Sequence, residues 1–210
     1  MKVTLIDSAG GDLSVVNSAR VSFNKESSIL TTQDEKLINY LAKHRHDTPF
    51  RHNFVQLRCE VPLFLARQLM KHQAGLTWNE ESRRYIDYAP DFYMPEGWRK
   101  RPDKSIKQGS EGRHHFSPRI SREYEMFVKT AIDFYEDLLD DGVAPEMARM
   151  VLPQSMMVNF IWSGNLLAFA HVYSLRSGDG AQEEAREFAE LLKEAIQPAF
   201  PVAWDAILNR

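Results

Sequence analysis

The chain has little of what marks a secreted, membrane-spanning or polynucleotide-binding protein. Its one cysteine, Cys59, excludes an internal disulfide framework and any zinc centre built on cysteines; no metal site is expected. No apolar run approaches the roughly 20 residues that cross a bilayer. The opening Met1-Lys-Val-Thr-Leu-Ile-Asp7 meets charge too soon to be a signal peptide. Charge of one sign is lacking too: 26 Lys and Arg against 29 Asp and Glu leave a net −3. That excludes the broad basic surface a nucleic-acid polymer demands, although a local cluster of cations can still bind one phosphate. No internal repeat is present. What remains, 210 residues of which 43 % are hydrophobic, suffices for one well-filled core in a cytoplasmic protein.

Periodicity then organises the chain. Residues 2–7 read as a short strand before a Gly10-Gly11 turn, and Asp12 to Arg20 as a short helix. A second helix starts at Thr32 or Gln33 and runs to about Lys43, with Leu37, Ile38 and Leu41 on one face. Val55, Leu57, Cys59 and Val61 alternate with polar residues, which puts Cys59 on the buried face of a strand and makes it core rather than a nucleophile. Pro62 suits the first turn of a helix carrying Leu63, Phe64, Ala66 and Met70. Ala89 to His115, rich in Pro, Gly and charge, reads as a long and partly mobile loop excursion. A long amphipathic helix follows from Pro118 towards Gly142, with Phe127, Val128, Ala131, Phe134 and Tyr135 among its apolar positions. A short helix opens at Pro145. Another spans about Gln154 to Ser174, apolar on more than one face, so the spacing predicts burial on several sides or at a subunit interface. Ala181 to Ala195 and Pro198 to Leu208 close the chain. The expected fold is α+β, a small antiparallel sheet packed with several helices in a single domain over 1–210, with 89–115 as the excursion.

The densest chemistry lies in Arg67 to Tyr85, where Arg67, Gln68, Lys71, His72, Gln73, Asn79, Glu80, Ser82, Arg83 and Arg84 follow an apolar stretch. Cations, amides and hydroxyls beside a core element suit an anionic, hydrogen-bonding ligand such as a nucleotide; a solvated helix end and polar loop would read alike. Three further groups accompany it. Arg20-Val-Ser22 is one. His46-Asp-Thr48-Pro-Phe50 is another, in which Thr48 either donates to a phosphate or belongs to a turn fixed by Pro49. The last comprises Arg149, Asn165, His171 and Arg176, with Asn165 and His171 inside an apolar helix where their polar groups need partners.

Taken in order, Arg20-Val-Ser-Phe23, His46-Asp-Thr-Pro-Phe50, Arg67-Gln68, Asn79-Glu-Glu-Ser-Arg-Arg-Tyr85, Ala148-Arg-Met-Val-Leu-Pro153, Trp162-Ser-Gly-Asn165, Leu175-Arg176 and Ala181-Gln182 make the chain resemble the flavin-dependent thymidylate synthases. The resemblance covers about residues 1 to 208. It implies a homotetramer with active sites between subunits, binding FAD and forming dTMP from dUMP with methylenetetrahydrofolate and NADPH as co-substrates. It also implies roles. Gln68, Ser82, Arg84 and Arg149 would hold dUMP, the two arginines on its phosphate. Arg176 would be the catalytic group, meeting the pyrimidine edge as negative charge develops there. Ser22, Thr48, Lys71, His72, Gln73, Glu80, Asn165 and His171 would contact FAD, with His46 as a folate- or flavin-stacking group. Ser82 has no evident base partner and suits a positioning donor better than a nucleophile. A methylation without a cysteine nucleophile agrees with a lone, packed Cys59, since a reduced flavin carries the electrons.

The departures from the pattern are local. Arg-His-Arg, seven residues and Ser is the family's form; here Lys71-His72-Gln73 is followed by eight residues before Ser82. Lys71 keeps charge without the guanidinium fork, and Gln73 loses the charge. Gly75 sits where an added residue can be absorbed, and Trp78 is either a ring beside the flavin or local packing. His171 stands where Asn is usual, and Gly180 replaces a common histidine. These changes keep two alternatives open: hydroxymethyl transfer to a pyrimidine nucleotide on the same fold, and a non-catalytic nucleotide-binding protein.

Overall fold

A computed structural model describes residues 1–102 and 109–210. Its elements in chain order are β1 (Lys2–Ala9), α1 (Asp12–Arg20), α2 (Thr32–Lys43), β2 (Phe54–Pro62), α3 (Leu63–Leu69), β3 (Leu76–Glu80), β4 (Arg99–Lys100), β5 (Glu111–Arg113), α4 (Ser117–Asp140), α5 (Pro145–Ala148), β6 (Met157–Gly164), α6 (Leu166–Arg176), α7 (Glu183–Ile196) and α8 (Pro201–Leu208). The architecture is the expected α+β, with a small antiparallel sheet in the order β1-β2-β6-β3 and a two-stranded β4-β5 ladder. Among the described residues no helix is long and apolar enough to cross a membrane.

Two compact units emerge. The first comprises residues 1–59, 69–79 and 160–210; the second comprises 60–68 and 80–159. In the first, α2 lies against α8, and α7 against α6 and β1, around fully buried Phe50, Trp162, Phe169, Phe188, Phe200 and Trp204. Helix α2 begins on a reciprocal cap: Thr31 Oγ1 accepts from the Asp34 amide while the Asp34 carboxylate accepts from the Thr31 amide. Buried Asp12 accepts from the amides of Val202 and Ala203 at 2.9 and 2.8 Å, satisfying the first turn of α8. Val55, Leu57 and Cys59 are fully buried, as their alternation predicts.

In the second unit α4 packs on α5 and on the 149–151 turn, burying Val128, Ala131 and Tyr135. Part of the 89–115 segment is anchored. The Tyr93 amide donates to the Ser155 carbonyl at 2.8 Å, Tyr124 Oη donates to the Tyr93 carbonyl at 3.0 Å, and Trp98 meets Tyr124 edge-on. β4 and β5 pair within the same segment, and its residues 103–108 lie outside the described residues.

Four local expectations change. The helix predicted over about Gln154 to Ser174 is instead strand β6 followed by α6. Val158, Phe160 and Trp162 are buried while their neighbours are half-exposed, a period of two partly masked by apolar Met157 and Ile161 on the outer face. Asn165 therefore caps α6 instead of lying inside a helix, and His171 is exposed on that helix. The polar loop after α3 contains strand β3, and Leu65 and Leu69 are buried where Met70 was expected, Met70 being exposed. Phe127 and Phe134 face outward from α4, because its buried stripe is only as wide as Val128, Ala131 and Tyr135.

Candidate active site

The first unit gathers two groups of the expected residues. One lines a cleft of about 710 Å³ bordered by Arg20, Ser22, Phe23, Tyr40, His46 and Thr48. Pro49 lines it too, buried with Phe50 in a short turn that packs against α1 and α6. Arg45 adopts a left-handed backbone (φ 56°), which turns the chain so that His46 lies near-parallel to Tyr40, ring centroids 6.2 Å apart. Asp47, between His46 and Thr48, is held by Arg210 and more loosely by Arg51. Arg20 is engaged by the Asp34 carboxylate and Ser27 Oγ, so its guanidinium is part of the wall's framework. Exposed Phe23 and Tyr40 beside the Ser22 and Thr48 hydroxyls offer apolar area for a flat ring and donors for phosphate oxygens. The volume and the donor set fit part of a flavin nucleotide. Phe23 entered the sequence reading only as part of its motif, with no role, and Tyr40 not at all; an aromatic on the polar side of an amphipathic helix was the available signal.

The second group forms where the turn after α3 meets α6. Arg176 Nε donates to His72 Nε2 at 3.0 Å, joining residues 104 positions apart. Burial, followed by the nearby Arg176 and His171 charges, pushes the half-buried His72 down to about 4 from 6.5, so at neutral pH its ring is uncharged and accepts. Lys71 and Gln73 flank it, both exposed. Below this turn, Gly75 takes φ +76° and lies so close to β6 that a Cβ on Gly164 would fall 2.3 Å from its carbonyl oxygen. Asn165 Oδ1 caps α6 through the Ala168 amide at 2.9 Å, and the Asn165 amide donates to the Gly75 carbonyl at 3.2 Å. Asn165 thus ties the loop to the helix that bears His171 and Arg176. Trp78 stacks on Phe160 at 3.5 Å between centroids and meets Trp162 edge-on, packing against the aromatic residues of β6.

The second unit carries the remaining residues. Its adjacent arginines divide by direction. Arg83 is buried, donates to the Tyr88 carbonyl and lies over the Tyr88 ring. Arg84 is exposed, its Nε donating to Ser82 Oγ at 3.3 Å. Sequence alone did not separate the two. Arg149 is also exposed, Nε on the Glu146 carbonyl at 3.1 Å. The Arg149 turn and, through Tyr135 Oη donating to the Ile86 carbonyl, the Ser82–Ile86 turn both rest on α4. Gln68 ends its run of the unit at the C-terminal part of α3 and Glu80 closes β3, both half-buried.

Comparison with known proteins identifies the family. Residues 4–202 match the family model Thy1, "Thymidylate synthase complementing protein". A flavin-dependent thymidylate synthase of Thermus thermophilus is 37 % identical over 206 residues, covering 97 % of this chain and 74 % of that protein. Its counterpart in Kosmotoga olearia is 35 % identical, over 99 % of this chain and 90 % of that one. The crystal structure of the UMP/dUMP methylase PolB from Streptomyces cacaoi, bound with 5-Br dUMP, superposes with a TM-score of 0.88 at 31 % identity, covering 99 % of this chain and 94 % of that one. On these grounds the chain belongs to the flavin-dependent thymidylate synthase family.

Proposed function

We propose that the protein converts dUMP to dTMP by reductive methylation, with methylenetetrahydrofolate as carbon donor and FAD reduced by NADPH. The observation that carries this reading is the pairing of an inaccessible thiol with an organised guanidinium. Cys59 is fully buried, and burial pushes its thiol far above the ordinary range, so no thiolate is at hand to attack a pyrimidine. Arg176, held at Nε by His72, is instead built to stabilise anionic charge on the uracil as C5 becomes nucleophilic.

The exposed guanidiniums of Arg84 and Arg149 take the nucleotide phosphate, for which a planar fork is suited. Ser82 orients Arg84 and donates to the nucleotide, and the Gln68 amide completes the polar contacts. Ser22, Thr48, Lys71, Gln73, Glu80, Asn165 and His171 hold FAD, with Asn165 acting by fixing the loop through Gly75. Reduced flavin, when bound, supplies the electrons that a methyl transfer from this folate requires. The outward Met126, Phe127 and Phe134 of α4 support assembly into a homotetramer whose active sites draw on more than one copy.

The visible spectrum of the protein after incubation with FAD and desalting tests this reading. Retained flavin absorbance that shifts on adding dUMP is expected; a colourless protein that still binds dUMP would contradict it. A second reading, hydroxymethyl transfer to the same pyrimidine, is favoured by one feature, the Lys71-His72-Gln73 triplet with its longer spacing to Ser82. That reaction needs no NADPH.

A further inference from the structure

We propose that His72 is a positioning residue for Arg176: the lone pair on Nε2 takes the guanidinium Nε–H and fixes the angle at which the arginine meets the pyrimidine. This rests on the reading of Arg176 as the group at the pyrimidine edge, and it goes beyond the flavin contact that resemblance assigns to His72.

The geometry is specific. The bond is 3.0 Å long and engages Nε, so the imidazole bears directly on the orientation of the guanidinium plane. The backbone that carries the ring is itself closed: the His72 amide donates to the Leu69 carbonyl at 2.9 Å, tying the turn to the end of α3. His72 is half-buried between two exposed residues, Lys71 and Gln73, so its ring is turned towards α6 while its neighbours are not.

The charged and titratable groups facing His72 are Arg176 and His171, both on α6, and both resist a proton there. An imidazolium would have no lone pair to offer and would set a second cation against the guanidinium. The hold therefore needs one tautomer, Nδ1 protonated and Nε2 bare. A flavin contact through Nε2–H would need the opposite tautomer. The two roles are thus chemically exclusive at that nitrogen.

The test combines nitrogen-15 NMR of the imidazoles with two substitutions. In the wild-type protein without ligands, His72 is expected as the Nδ1–H tautomer at pH 7, still neutral at pH 5.5; a protonated Nε2 at pH 7 would overturn the proposal whatever the activity. His72→Leu, which removes the acceptor, is expected to lower kcat on dUMP about tenfold to a hundredfold with flavin affinity changed less than about threefold. His72→Gln, whose amide oxygen can accept at the same place, should recover most of that loss. A fall in flavin affinity in step with turnover in both variants would make His72 a flavin ligand instead. Wild-type protein inactive on dUMP would count against the proposed function, and the tautomer would still decide the His72–Arg176 hold.

Discussion

Arg83 and Arg84 are chemically identical neighbours with opposite fates, and the difference is burial. Arg83 spends its guanidinium on the Tyr88 carbonyl and ring inside the second unit, whereas Arg84 faces solvent beside Ser82. Arg83→Ala should cost about 2–3 kcal/mol of stability, from a charge-assisted hydrogen bond of a buried guanidinium and its contact with the Tyr88 ring lost together. Arg84→Ala should stay within about 0.5 kcal/mol of the parent, as exposed substitutions do, and weaken dUMP binding about tenfold or more. Urea unfolding and nucleotide titration of the two variants check this; the reverse ranking would mean that the wrong arginine has been assigned to the phosphate. His72 gives a pH effect of definite sign. Its folded value, about 4, lies below the ordinary 6.5, so below 6.5 the unfolded chain binds a proton that the native ring refuses. The stability tied to the neutral ring is complete above 6.5 and is lost as pH falls towards 4. Unfolding of the wild type at pH 7 and pH 4.5 should therefore show a larger acid loss than unfolding of His72→Gln; equal losses would contradict the burial of the ring.

At the scale of elements, the β6–α6 junction positions most of the first unit's chemistry. Gly75 and Gly164 let two backbones cross at a separation that no side chain tolerates, and Asn165 fastens them. Gly164→Ala should destabilise by more than about 2 kcal/mol, since the clashing atom is a carbonyl that cannot rotate away. Asn165→Ala should cost about 1 kcal/mol for the lost cap, with Asn165→Ser restoring most of it. Thermal melts read both; an unaffected Gly164→Ala would show that the crossing relaxes freely.

This junction is also where sequence reasoning failed. α1, α2 and the Val55–Val61 alternation are legible because polar residues punctuate them. Between Met156 and Ala170 the only polar residues or glycines are Asn159 and the Ser163-Gly164-Asn165 cluster, and Met157 and Ile161 fill outward positions of β6, so its period of two is masked by apolar residues on both faces. Gly164-Asn165 was the signal: a poor helix residue followed by a good cap. The candidate site was legible as types and order along the chain. Which arginine points inward, and that Arg20 and Asn165 serve the framework, depends on packing that no local pattern encodes.

For the whole molecule, family membership sets the expectation and the chain's own departures refine it. An even charge balance and a fully buried lone cysteine suit a nucleotide enzyme that uses neither a thiolate nor a polyanion-binding face. The outward apolar residues of α4 give assembly a concrete form. Light scattering should find a particle of four times the 24.3 kDa chain, and Phe127→Glu combined with Phe134→Glu should reduce it. A monomeric wild type would remove that face as an assembly surface. The central claim, flavin-dependent methylation of dUMP, is tested most directly by mass analysis of the nucleotide product after incubation with FAD, methylenetetrahydrofolate and dUMP, with and without NADPH. dTMP formed only in the presence of NADPH is the predicted result. Unchanged dUMP, or a hydroxymethylated nucleotide formed equally without NADPH, would contradict it.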